Sequence, residues 1–520
     1  MIQKSKIILL ALWFFMAGSL SLRAQINEVA IDSLVETALQ KLKVAGAAVA
    51  IVKDGKVVHS KGYGVKSVAT GEKADANTLF AIASNSKAFT TAALAILVEE
   101  GKISWHDRVV DHIPEFTMYN PYVTSNFLIT DLLSHHSGLG LGNGDLMFFP
   151  DSSNFTIEDV LSCYSHFQPQ MPFRTTFAYN NLLYLVAGEL IKRKSGMSWE
   201  AFVQARILDP LGMTQSSPAL SQVKNPQSLA SPHNTNKGEL HAFANYSDMI
   251  NGAAAGIYSS ANDMSQWMLM QLNGGKYGDS LEYSIFNKAS QNEMWKIYTT
   301  TRASNNPRYN TRFAGYGLGW GLKDMCGHLT ASHTGGLPGM LSITILIPDL
   351  NFGVAVLTNT EPGGAALFMA ISQTIADNYL GLDDFGWIEK NAARFEHMEL
   401  ADTITDQVWE KVKQNADHSP ETAIYTGVYE DDWFGKIEVC SVDGQLWFKS
   451  YRSPRLKGRM HFYQANTFAI RWDYRDMNAD VFATFSLDEN GQAHSIEMKG
   501  ISPNIDFSFD FHDLSLKRVE

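Results

Sequence analysis

Near residue 420 the hydrophobic period of this chain changes, and the change limits what each side of it can fold into. Up to Leu382, apolar residues recur at both helical and strand spacings. From Tyr425 onward the two-residue strand period takes over, in a stretch rich in aromatic and β-branched residues. Turn signals at Asp443-Gly444 and Asn490-Gly491 cut this tail into about eight short strands, the number that closes a small barrel. Trp387 to Gln414 reads as helical and charged, and Asn415 to Thr422 as a polar linker. The expected division is residues 25–382 as one domain, 383–422 as a helical linker and 423–520 as a barrel domain of its own.

The first of these domains mixes both periods. Ile31 to Leu42 has helical spacing, and Ala45 to Val52 and Lys56 to Tyr63 form a hairpin about Asp54-Gly55. A helix is expected from Ser84 to Glu100 with Gly101 as its stop, and another from an Asn262 cap to Leu272. Strands at Leu341 to Ile347 and Phe352 to Leu357 follow, then a helix from Ala365 to Tyr379. The pattern implies an α/β domain whose sheet draws strands from both ends of the segment.

Composition excludes several classes of function. With 45% hydrophobic and 18% charged residues the 520-residue chain has ample material for a core, so it is not intrinsically disordered. Its 42 basic against 54 acidic residues give a net charge of −12 without a basic patch, which argues against a nucleic-acid partner. Three scattered cysteines make neither a disulfide framework nor a zinc site. Lys4 and Lys6, an apolar run from Ile7 to Gly18 and small residues up to Ala24 have the layout of a secretory leader over residues 1–24. The expectation is an exported protein, periplasmic or secreted, with no membrane span once the leader is cleaved.

Three motifs carry chemistry. Ser84-Asn85-Ser86-Lys87 places a hydroxyl and an amine three residues apart on one helical face. A serine becomes a nucleophile when a base takes its proton, and a lysine is that base only when its pKa is depressed. The motif alone says little, because Ser221-Gln222-Val223-Lys224 repeats it in a loop. Tyr179-Asn180-Asn181 opens an apolar helix; the phenol can relay a proton and the amide can bind a substrate, although an isolated Tyr-x-Asn is more often a core tyrosine with a capping asparagine. His333-Thr334-Gly335-Gly336 offers a strand edge with room for a ligand against the backbone; a Gly-rich turn with a surface histidine is the plainer alternative. His135-His136 reads as packing and capping rather than metal ligation, and Asp431-Asp432 as a solvated hairpin edge.

Together and in this order, the three motifs resemble those of the serine β-lactamases and penicillin-binding proteins. Tyr179-x-Asn181, with Tyr179 and His333 lying 95 and 249 residues after Ser84, is similar to the class C β-lactamase and esterase branch. Leu132–Leu139, Tyr316–Trp320 and Gly336–Gly339 match its look as well. The resemblance implies a β-lactamase/transpeptidase-like α+β domain, an antiparallel sheet flanked by helices, followed by a small all-β barrel that resembles a lipocalin-like domain.

It further implies an acyl-enzyme hydrolase without metal or organic cofactor. Ser84 would attack, Lys87 and Tyr179 would handle the proton, and the N–H groups of Ser84 and Gly336 would form the oxyanion hole. Asn181 would orient the acyl group, and His333 with Thr334 would face a polar or carboxylate end. Substrates would be small esters, peptides of D-residues or β-lactams. The alternatives are a D,D-peptidase or weak β-lactamase, and a non-catalytic protein that is acylated and senses its ligand. With His333 where many β-lactamases carry lysine, carboxylate recognition is expected to be weak and pH-dependent.

Overall fold

The structure, a computed structural model, describes residues 26–519 apart from 237–238, 248–249, 305 and 418–419. The leader expected over residues 1–24 therefore lies outside the described residues. The described residues open with α1 (Glu28–Lys41), where the Asn27 side chain caps the helix by accepting from the Ala30 N–H at 2.9 Å. β1 (Gly46–Lys53) and β2 (Lys56–Gly64) follow, joined by Asp54 and Gly55 at φ of 50° and 75°. Two successive positive φ values suit the right-handed twist of a two-residue hairpin.

The sheet is completed from much later in the chain by β3 (Thr299–Thr300), β4 (Ala314–Tyr316), β5 (Gly321–Met325), β6 (His328–Leu337), β7 (Met340–Ile347) and β8 (Phe352–Thr358). The order is β2-β1-β8-β7-β6-β5-β4-β3, antiparallel at every pairing. Strand alternation sends Ala47, Val49 and Ile51 to one face and Ala48, Ala50 and Val52 to the other. The first face packs on α1 and on the helix over Gly363–Tyr379; the second packs on the helices that carry the site. Both faces are covered, which is why β8 is buried along its whole length.

On that second face lie α2 (Ser86–Glu99), α3 (Leu182–Ser195) and α4 (Ala261–Leu272). α2 is apolar around nearly its whole circumference and runs through the interior. It starts two residues later than the sequence suggests, because residues 83–85 form a single 3₁₀ turn. The cap of α4 is Ser260 rather than Asn262: the Ser260 hydroxyl accepts from Asp263 N–H, while Asn262 is bonded to Ser60 and Asn77. α5 (Gly363–Tyr379), α6 (Trp387–Ala401) and α7 (Thr403–Gln414) lead out of the domain. No helix among the described residues is long and apolar enough to cross a membrane.

The tail closes into an eight-stranded antiparallel barrel: β9 (Gly427–Asp431), β10 (Gly435–Val442), β11 (Gln445–Ser450), β12 (Lys457–Gln464), β13 (Thr467–Trp472), β14 (Val481–Leu487), β15 (Ala493–Gly500) and β16 (Leu516–Arg518). Asp431 is not a solvated edge. It is buried, and its carboxylate accepts from the N–H groups of Trp433, Phe434 and Ser515, fastening the β9–β10 turn to the start of β16.

The barrel leans heavily on the first domain. Arg452 binds Asp159 and Asn154, Arg455 pairs with the buried Asp151, and Phe434, Trp433 and Phe509 pack against Phe155, Phe167 and Phe149. One apolar cluster runs without a break from α2 into the barrel interior at Trp472 and Phe511. The segment between β15 and β16 also reaches across to the loop around Gly144.

Candidate active site

Between Thr78 and Leu97 every residue is buried except Ser84, which is partly open. The backbone just before it is unusual: Ala83 has φ of 48°, a conformation that costs an L-residue about 1–2 kcal/mol and that turns the chain sharply out of Phe80–Ala81 into α2. One hydroxyl is thereby presented at the surface of an otherwise sealed wall.

Lys87 lies beneath it with no exposed surface. Its Nζ is 3.1 Å from Ser84 Oγ, 2.7 Å from Asn181 Oδ1 and 3.1 Å from the Ala254 carbonyl oxygen. None of these partners carries a charge. Burial therefore pushes the ammonium down to about 7, against a small upward pull from Asp145. A neutral amine has two N–H donors and one lone pair. Asn181 and Ala254 take the donors, which leaves the lone pair for the Ser84 proton. The rings of Tyr179 and Tyr184 flank Nζ at 4.8 and 5.2 Å from their centroids.

Tyr179 is hydrogen-bonded to Ser84, and burial holds its phenol well above 10. It is a neutral donor at ordinary pH, so the base of this cluster is the amine and not a phenolate. Tyr179 is oriented by His135, whose ring lies 4.2 Å away and whose Nδ1 accepts from the Asn180 N–H at 3.1 Å. His136 is held in a separate buried network with Asp131 at 2.6 Å. Both histidines thus pack and cap, and no cluster of three metal-ligating side chains occurs among the described residues.

The third motif lies inside β6 rather than in a turn before the strands. The ladder from β6 to β5 ends at the Gly321–Ser332 pair, whereas the ladder to β7 continues to Leu337. From His333 onward one side of the strand has no strand partner among the described residues, and Thr334 and Gly336 are exposed there. Gly335 is needed for close approach: a Cβ would sit 2.1 Å from the Ile82 carbonyl oxygen and 3.0 Å from Ser84 N. Gly335 thus brings the β6 edge up against the turn that carries Ser84.

Two expectations need correction. His333 is buried, with Nε2 2.7 Å from the Tyr316 hydroxyl and Nδ1 2.5 Å from the Thr334 carbonyl oxygen. Burial first, and the charge of Lys87 second, push it down to about 3. It is a fixed neutral group, not a cation that comes and goes near pH 6.5. Asn181 is also less free than expected of a group that orients substrate. Its oxygen accepts from Lys87, and its Nδ2 donates to Asp145 Oδ2 at 2.7 Å.

Sequence reasoning passed over Asp145 and Ala254. Asp145 is buried, and its carboxyl is pushed up to about 8, mainly by burial. Nothing in the local Gly-Asn-Gly-Asp pattern marks it, since its partner is 36 residues away. Ala254 contributes only a carbonyl, which no residue pattern reveals. Ser221 and Lys224, the second Ser-x-x-Lys, are both exposed in and beside a short 3₁₀ turn.

Residues 31–375 match the model of the Beta-lactamase family. The chain belongs to that family. Unguisins hydrolase ungD of Aspergillus violaceofuscus is 26% identical over 438 residues, covering 79% of this chain and 76% of the relative. Protein flp of Staphylococcus aureus is 28% identical over 332 residues, and this chain spans 62% of its length. Residues 411–518 match a domain of unknown function. Among solved structures, the octameric penicillin-binding protein homologue of Pyrococcus abyssi aligns over 94% of this chain and all of its own, with a TM-score of 0.60 and 21% identity. SurE aligns over 94% with a TM-score of 0.55 and 17% identity. The chain is a serine hydrolase of the β-lactamase and penicillin-binding protein type, on a β-lactamase/transpeptidase-like fold with a closed C-terminal barrel.

Proposed function

We propose that the protein is an exported hydrolase that cleaves small esters or amides, including peptides of D-residues, through an acyl-enzyme on Ser84. The observation that carries this reading is the 3.1 Å contact between the one open hydroxyl of a buried wall and an amine whose other two partners are neutral acceptors.

The neutral Lys87 amine takes the Ser84 proton as Oγ attacks the substrate carbonyl. The oxyanion forms against the N–H groups of Ser84 and Gly336. Tyr179, still protonated, donates toward the leaving group and is refilled from Lys87, so the leaving atom departs with a proton. Water then attacks the acyl carbonyl by the reverse route and frees Ser84. An extended substrate would pair with the open edge of β6 beyond His333.

A neutral His333 supplies no cation for the carboxylate of a β-lactam, which favours esters and peptides over β-lactams as substrates. The test compares kcat/KM for nitrocefin, p-nitrophenyl butyrate and a D-alanyl dipeptide ester. The ester or the dipeptide ester should lead, and nitrocefin leading by several decades would overturn the reading. Intact-mass analysis after a fluorophosphonate should find one adduct, on Ser84. A burst of one equivalent without turnover would instead assign a sensor.

A further inference from the structure

Between β15 and β16 the barrel sends out a segment that ends beside the catalytic lysine's own support. Asp510, fully buried, accepts from Gly144 N–H at 2.7 Å through one carboxyl oxygen and from Leu146 N–H at 2.9 Å through the other. Asp513 accepts from the Asn143 amide. The three-residue turn thus gripped on both sides of Asp145 is the one that holds Asn181, and Asn181 holds Lys87. The same loop is tied to the Tyr179 motif twice, by Gly142 N–H to the Tyr179 carbonyl and by Asn180 Nδ2 to the Asn143 carbonyl. Phe507 covers the outside, its ring edge-on to Tyr179 at 5.9 Å.

We infer that Asp510 of the barrel is a positioning residue of the hydrolase: by fixing both N–H groups that flank Asp145 it sets the Asp145–Asn181–Lys87 chain and hence the aim of Lys87 at Ser84. The inference rests on the reading of Ser84 and Lys87 given above. Its physical basis is geometric. Each link is a hydrogen bond of 2.7 to 2.9 Å between buried groups, so a loop displaced by about 1 Å would move the amine out of line, a shift that can cost about a hundredfold in rate. An ordinary docking contact would need none of this. Arg452 fastens the barrel to Asp159 and Asn154 on the same flank without touching the chain of bonds to Lys87.

The experiment uses the full-length protein and four variants: Asp510→Ala, Asp510→Asn, Arg452→Ala and Ser84→Ala. Ester turnover, its pH profile, the rate of fluorophosphonate labelling and the thermal midpoint are read for each. Asp510→Ala should lower kcat and the labelling rate at least tenfold with little change in KM, and should shift the acid limb of the pH profile. Asp510→Asn, which keeps one carbonyl acceptor, should recover part of the loss. Arg452→Ala should lower the midpoint while kcat stays within about twofold. The inference is overturned if Asp510→Ala labels and turns over at the wild-type rate, if it fails to fold while Asp510→Asn folds and is unimpaired in both kcat and pH profile, or if Arg452→Ala loses kcat equally. Labelling that persists in Ser84→Ala would instead bring down the underlying reading, whatever Asp510 does.

Discussion

Ser84-x-x-Lys87 and Ser221-x-x-Lys224 are the same pattern in one chain, and the structure treats them in opposite ways. The first pair is built into a sealed wall, with its amine held by neutral acceptors and flanked by aromatic rings. The second is exposed beside a short turn. Spacing alone brings hydroxyl and amine onto one side of the chain; burial without a carboxylate partner makes the amine a base.

The largest effect should come from Ser84→Ala, with ester turnover falling about 10⁴-fold or more and the fluorophosphonate adduct lost, as read by intact mass. Lys87→Met should come within about tenfold of that loss, because nucleophile and base act as one unit. The same variant should melt several degrees higher at pH 7, since it removes a buried amine whose folded pKa lies below its unfolded one. The sign follows from proton counts. Between about 7 and 10.5 the unfolded chain binds a proton that the folded one does not, so this group's contribution to stability grows as pH rises through that window and is most unfavourable below it. A Lys87→Met variant that melts lower than wild type would show that the hydrogen bonds of Lys87 to Asn181 and Ala254 outweigh the cost of burying it.

A smaller effect is expected from pH alone. In the wild type kcat/KM should fall about tenfold per unit below an apparent pKa of about 7, and no limb near 6.5 should move when His333 is replaced by Gln. The smallest effect belongs to the second pair: Ser221→Ala and Lys224→Ala should each leave turnover within about twofold. Loss of more than tenfold in either would break the contrast drawn above.

What the sequence made legible was local. The Ser84–Lys87 spacing, the helix after Asn181 and the strands around His333 are set by periodicity over ten or so residues, and the structure keeps them together. The number of strands in the tail was legible for the same reason. The state of His333 was not, because its neutrality comes from burial by other elements and from the charge of Lys87. The same holds for the double engagement of Asn181 and for the run of apolar core from the first domain into the barrel. The polar stretch at 415–422 reads as a boundary, yet the contacts that matter most bypass it through the β15–β16 segment.

Those contacts also bear on the order in which the molecule comes together. The turn that carries Asp145 is closed by two bonds that span 366 and 364 residues, and the sheet by the β1–β8 ladder, which pairs Ala47 with Thr358. Closures of such length are entropically costly and form after local ones. On refolding from denaturant, helix and hairpin signals should therefore return before ester turnover does, since turnover waits both for β1 to meet β8 and for the barrel segment to reach the turn that carries Asp145.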